Sequence, residues 1–155
     1  YVDIDIQYGA ILGQKNTTSL DVMIDEYLAF DAANHVHQYE DVPEFDLTAY
    51  SIEEIFAEKL RALYQRARAR DYYDLYRMLT DASIETSSIV PAFEAKCAHE
   101  DLDIDLRSGL PQGSRSEICA GWENTLPTLV AELPEFEEVY ERLDSFVKSL
   151  VTADN

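Results

Sequence analysis

Lys59, Arg66, Arg70, Asp71 and Asp74 fall within sixteen consecutive positions and supply the groups that phosphate chemistry uses. A lysine brings a compact point charge, an arginine brings a planar fork that meets two phosphate oxygens, and carboxylates hold such cations in place. Six of the twelve basic residues (Lys59, Arg61, Arg66, Arg68, Arg70 and Arg77) lie between positions 59 and 77 of a 155-residue chain whose formal net charge is −19. A local surplus of cations in so acidic a chain calls for anions opposite it.

The elements that must position these groups are helical. Ser51 followed by Glu53 and Glu54 reads as an N-cap with acids in the first turn, which satisfies free N–H groups and suits the helix dipole. Ile52, Ile55, Phe56, Leu60 and Leu63 then form one apolar face, predicting a helix over 51–66. On a wheel of about 100° per residue Lys59 falls near the middle of that face, where a charge is rarely left without a partner. A second helical segment is predicted over 69–80, with Tyr73, Tyr76 and Leu79 spaced for packing. If it continues the first, Arg66 and Arg70 return to the Lys59 face with Asp74 nearby. Three arrangements satisfy such a row: internal pairing with Asp71 and Asp74, a Lys59 stem that packs while its ammonium reaches water, or a site for a phosphate-bearing ligand.

Upstream, Val2, Ile4 and Ile6 alternate with Asp3, Asp5 and Gln7, the period of a half-buried strand. Residues 9–18 read as a turn or loop and 19–24 as a second strand, which makes a hairpin. A short strand is expected around 36–39 or 45–49, with Pro43 limiting its length. Downstream, Ser87 or Ser88 is expected to cap a helix to His99, with Pro91 tolerated in its first turn. Residues 101–114 read as an acidic loop. Helices are expected over 116–133, interrupted by Pro127, and over 134–151. Residues 152–155 read as a frayed tail.

Composition bounds the class. Apolar content of 46 %, with ten Tyr and six Phe, suffices for a core and argues against disorder. The chain carries 31 acids and only four Lys against eight Arg, a balance suited to concentrated salt, where a Debye length of about 3 Å at 1 M screens self-repulsion. A halophilic source is the expectation. Cys97 and Cys119 lie outside any paired metal spacing and read as free thiols in a reducing cytoplasm. No apolar run approaches the roughly 20 residues of a membrane span, so a soluble cytoplasmic protein is expected. His35 and His37 would share a strand face, but two ligands without a third are weak grounds for a metal. Asp101, Asp103 and Asp105 resemble the start of a calcium loop that lacks its Gly and its closing Glu, and Trp122 reads as a packed core residue.

The run Tyr50-Ser51-Ile52-Glu53-Glu54-Ile55-Phe56-Ala57-Glu58-Lys59-Leu60-Arg61-Ala62-Leu63, followed by Arg70-Asp71-Tyr72-Tyr73-Asp74-Leu75, resembles the motif of the AbiEii/AbiGii-type nucleotidyltransferase toxins. Ser19-Leu20-Asp21-Val22 resembles the acidic strand before that helix, and residues 122–139 resemble the family's C-terminal helical region. The resemblance implies a nucleotidyltransferase fold that moves a nucleotide from an NTP to an acceptor with metal-bound carboxylates. It places Lys59 on the triphosphate, makes Asp71 an active-site acid, gives Arg66, Arg70 and Asp74 supporting contacts to substrate, and makes Asp21 a ligand of Mg²⁺. The acceptor it suggests is RNA, including a tRNA end, and the partner an antitoxin, in a toxin–antitoxin or phage-defence system.

The family also places a Gly-Gly or Gly-Ser turn and two alternating carboxylates upstream of these motifs, and neither precedes Tyr1. Asp3 and Asp5 imitate that pair but lie too close to Lys59 in sequence, so they are expected to face solvent. The chain, which starts inside a strand, is therefore expected to be a C-terminal portion, inactive alone. The fold class that follows is α+β: part of a nucleotidyltransferase sheet over 1–50, a mainly helical region over 51–151, and a tail over 152–155. The alternative is a noncatalytic module of the same fold, or a helical domain that docks a partner through 134–151.

Overall fold

A computed structural model of the chain describes residues 1–9, 13–36, 40–111 and 115–152. Its architecture is α+β, with two small antiparallel sheets followed by helices. Strands β1 (Val2–Gly9) and β2 (Lys15–Val22) form the first sheet, pairing Val2 with Val22, Ile4 with Leu20 and Gly9 with Lys15. The second strand thus begins at Lys15 rather than Ser19 and ends at Val22. Thr17 and Thr18 explain the shift, because β-branched residues suit a strand although their polarity made the segment read as loop. The half-buried face expected of Val2, Ile4 and Ile6 is not found: these residues, with Tyr8 and Leu20, all remain exposed, because among the described residues nothing packs over the hairpin.

Strands β3 (Ala33–Val36) and β4 (Asp46–Ala49) form the second pair; β4 lies in the segment expected at 45–49, whereas β3 covers 33–36 and shares only Val36 with the segment expected at 36–39. Residues 37–39 lie outside the described residues, as do 10–12, 112–114 and 153–155, and with them His37, Gly113 and most of the expected tail. Among the described residues, none before Ile52 is fully buried.

The core belongs to the helices. Helix α1 (Ile52–Arg66) begins at Ser51, whose Oγ accepts the Glu54 N–H at 3.1 Å, as the capping pattern requires. Its buried stripe centres on Phe56, Leu60 and Leu63, while Ile55 is exposed and Lys59 sits at the rim rather than the middle. Helix α2 (Ala69–Asp81) does not continue α1. Ala67 adopts the left-handed conformation (φ 45°, ψ 50°) and its N–H closes on the Leu63 carbonyl, ending the first helix. Nothing local forces this, since Ala and Arg are good helix formers. The gain is tertiary, because the break folds Tyr72 and Leu75 of α2 into the core that holds Phe56, Leu60 and Leu63.

A 3₁₀ turn at Thr86–Ser88 leads into α3 (Ile89–His99), and Ser88 makes no side-chain cap, so the expected serine cap is replaced by that turn. Helix α4 (Arg115–Asn124) ends before a 3₁₀ turn at Leu126–Thr128 that contains Pro127, shorter than the segment read from sequence. Helix α5 (Phe136–Thr152) completes the bundle with Phe136, Val139, Leu143, Val147 and Leu150 buried. Trp122 is a core residue and donates its Nε1–H to the Pro134 carbonyl at 2.9 Å. Gly109 (φ 79°) sits where a Cβ would lie 3.0 Å from Asp144 Oδ1, and that carboxylate accepts the Leu110 N–H. The α4 residue Gly121 lets that helix close on α2, where a Cβ would meet that of Ala69 at 3.1 Å.

Candidate functional site

Lys59 and Arg66 stand seven residues apart on α1, two turns along one strip of the helix. Asp71 and Asp74, one turn apart on α2, face them. The Arg66 fork grips Asp71 with Nε at 2.9 Å from Oδ2 and Nη2 at 2.8 Å from Oδ1. Lys59 Nζ donates to Asp74 Oδ2 at 2.6 Å and stands 3.8 Å from Asp71 Oδ1. Of the three arrangements open in the sequence, the observed one is internal pairing, reached through the break between helices rather than along one continuous helix.

Asp71 is fully buried while both its cationic partners reach the surface, with side-chain exposures of 27 % for Lys59 and 39 % for Arg66. Hydrogen bonding to Asp71 pushes the Arg66 guanidinium above its ordinary pKa against the opposing effect of burial. The acid thus acts as a buried anchor and the cations as its exposed ends. Such a pair is held in place but not sealed, so a second anion can approach the cations from the solvent side.

A cleft of about 430 Å³ adjoins this network, lined by Arg66, Arg68 and Arg70 together with Ile118, Leu126, Leu129 and one acid, Glu117. Arg68 and Arg70 are exposed, and among the described residues neither has an acidic partner within 4.0 Å. Arg70 therefore lines the cleft beside the Lys59–Asp71 network and takes no part in the network's ion pairs. In a chain with 31 acids, two neighbouring unpaired arginines are not explained by charge balance within the fold.

Asp21 lies elsewhere, on the exposed strand β2 directly opposite Asp3. Hydrogen bonding with Asp3, followed by desolvation and by the negative charge of Asp3, raises the Asp21 pKa. Mg²⁺ would find this pair of carboxylates but no third ligand: among the described residues no group of three or more His, Cys, Asp and Glu could hold a metal ion. Among the described residues Asp3 and Asp21 alone do not amount to a magnesium site. His35 stands exposed on β3, and Asp105 instead caps a short 3₁₀ turn, its Oδ1 accepting the Arg107 N–H at 2.9 Å. Cys97 and Cys119 are free, with the Cys97 thiol pushed up by burial.

A second ion pair escaped the sequence reading. Glu54 and Lys96 are 1 % and 2 % exposed, with Nζ 2.5 Å from Oε1. The Glu54 Oε2 accepts the N–H groups of Ala29 at 2.9 Å and Phe30 at 3.0 Å, and Lys96 Nζ donates to the Tyr27 carbonyl at 2.8 Å. Oε1 has Lys96 as its counter-ion and no further partner. Glu54 had read as a first-turn acid suited to the dipole. Lys96 carried a signal of the kind that singled out Lys59, since it stands three and four residues after Phe93 and Ala92, both buried.

No helix among the described residues is long and apolar enough to cross a membrane. Comparison with curated proteins and with solved structures finds no match. A family model described as nucleotidyl transferase AbiEii toxin, type IV toxin–antitoxin system, matches residues 1–142, and the chain belongs to that nucleotidyltransferase toxin family.

Proposed function

We propose that the protein transfers a nucleotide from an NTP to an RNA acceptor, a tRNA end among the candidates, as the toxin of a cytoplasmic toxin–antitoxin or phage-defence pair. The observation that carries this reading is the Lys59–Asp71–Arg66–Asp74 network opening beside a cleft whose Arg68 and Arg70 have no acidic partner among the described residues. In the proposed site Lys59 meets the triphosphate as a point charge, exchanging Asp74 for a phosphate oxygen, Arg70 supplies a fork to neighbouring oxygens, and Arg66 adds the N–H groups that its bidentate grip on Asp71 leaves over. Asp71 holds Lys59 and Arg66 in place, which fixes their geometry before substrate arrives. Asp21 enters as a carboxylate brought to the substrate from the strand region, and the acid surplus of the surface suits work in concentrated salt.

The internal pairing also favours a second reading, in which the network is structural and the protein acts by contact alone. The two part on Lys59. The full-length protein is given labelled NTPs, Mg²⁺ and total RNA. Transfer of label by wild type, reduced at least tenfold in Lys59→Ala, is the expected result. Equal transfer by the variant removes Lys59 from the site.

A further inference from the structure

Glu54 stands five residues before Lys59 on α1 and pairs with Lys96 of α3, and the hydrogen bonds of this buried pair run to one stretch of chain, residues 27–30, that follows β2. Two further contacts fix the same stretch: the Tyr50 hydroxyl donates to Glu26 Oε2 at 2.7 Å, and His99 Nε2 lies 3.8 Å from Asp25 Oδ1. Met23, Asp25, Glu26 and Tyr27 thereby form one wall of a cleft of about 310 Å³ whose opposite wall includes Glu58, Arg61 and Arg66. Arg66 is also a wall of the larger cleft beside Arg70, so the held strap borders the proposed site.

The geometry points to Glu54 and Lys96 as positioning residues: they clamp the strap at 23–30 onto α1 and α3 and so set where the Asp21 strand stands relative to Lys59. An ion pair removed from water seldom adds net stability over apolar residues of similar size, so a buried pair is better accounted for by what it specifies. Here it specifies a chain path. Glu54 accepts two successive backbone N–H groups, which an apolar residue cannot do, and Lys96 satisfies the Tyr27 carbonyl two residues earlier. Asp21 precedes Tyr27, the first residue that the clamp itself bonds, by six positions, a tether of at most about 22 Å when fully extended. Without the clamp the strap keeps only the exposed Tyr50–Glu26 and His99–Asp25 contacts, and the strand is held less firmly against α1.

This inference rests on the proposed nucleotidyl transfer only for the claim that the strand and Lys59 serve one reaction. Two double variants of the full-length protein separate the clamp from general packing. In Glu54→Gln/Lys96→Met both charges are gone but an amide oxygen still accepts from Ala29 and Phe30; in Glu54→Leu/Lys96→Met the acceptor is gone as well. Amide hydrogen exchange over 23–32 is followed together with steady-state transfer kinetics. The expected result in the Gln/Met variant is exchange at Ala29 and Phe30 within threefold of wild type, the small rise reporting the lost Lys96 bond to the Tyr27 carbonyl; a tenfold rise there overturns the Glu54 acceptor as the main hold of the clamp. The Leu/Met variant is expected to exchange at least tenfold faster at Ala29 and Phe30 while α3 keeps its protection, with kcat down at least tenfold and KM for NTP within twofold. Exchange over 23–32 within twofold of wild type in the Leu/Met variant overturns the clamp, and rapid exchange with unchanged kcat overturns its part in positioning. A wild type that transfers no nucleotide refutes the proposed reaction and the positioning with it, and the exchange data still decide the clamp.

Discussion

Two ion-pair systems share helix α1 five residues apart and differ in what surrounds them. Around Glu54 and Lys96 both charges are sealed, their hydrogen bonds go to backbone at 27–30, and Lys96 also stands 3.5 Å from the half-buried Glu58 carboxylate. Around Lys59 only Asp71 is sealed, and the cations face solvent and an arginine-lined cleft. The same chemistry therefore serves opposite ends. A sealed pair cannot exchange partners without exposing a bare charge to an apolar interior, so it fixes structure. An open network can exchange one carboxylate for a phosphate oxygen at little cost, so it suits a ligand.

This contrast can be broken by substitution. Lys96→Met leaves Glu54 buried without its counter-ion and is expected to lower stability by about 3–5 kcal/mol, with most of the loss recovered when Glu54→Gln is added. Urea denaturation of the three proteins measures both steps, and a single variant as stable as wild type would erase the distinction. Asp71→Asn keeps the shape but removes the charge that anchors Arg66 and Lys59, and a loss of about 1–3 kcal/mol is expected for a buried hydrogen-bonded acceptor. Lys59→Met should cost less than about 1 kcal/mol, since the Lys59–Asp74 pair is partly exposed and screened by solvent. A larger loss would mark the Lys59 network as structural, like the pair at Glu54.

How much of this was legible depends on whether the signal was local. The Ser51 cap and the apolar spacing of 52–63 are local, and the helix lies where they place it. The alternation from Val2 to Gln7 is likewise local and marks β1 correctly. The break at Ala67 was hidden because no Gly or Pro marks it; the burial of Tyr72 and Leu75 on the far side of the bend decides it. Lys59, Arg66, Asp71 and Asp74 were legible as a group because they lie close in sequence, and the structure brings these four together. Arg70 faces the adjoining cleft and Asp21 stands on the exposed hairpin, placements that a wheel drawn through one continuous helix could not anticipate. Glu54 and Lys96 are forty-two positions apart, and their shared partners at 27–30 belong to a segment with no periodic pattern of its own.

The central claim is that the open network, not the sealed pair, meets phosphate. Calorimetric titration of the full-length protein with an NTP in Mg²⁺ buffer tests it, comparing wild type with Lys59→Met at matched thermal stability. At least a tenfold loss of NTP affinity in the variant is the predicted result. Equal affinity in both proteins would contradict it.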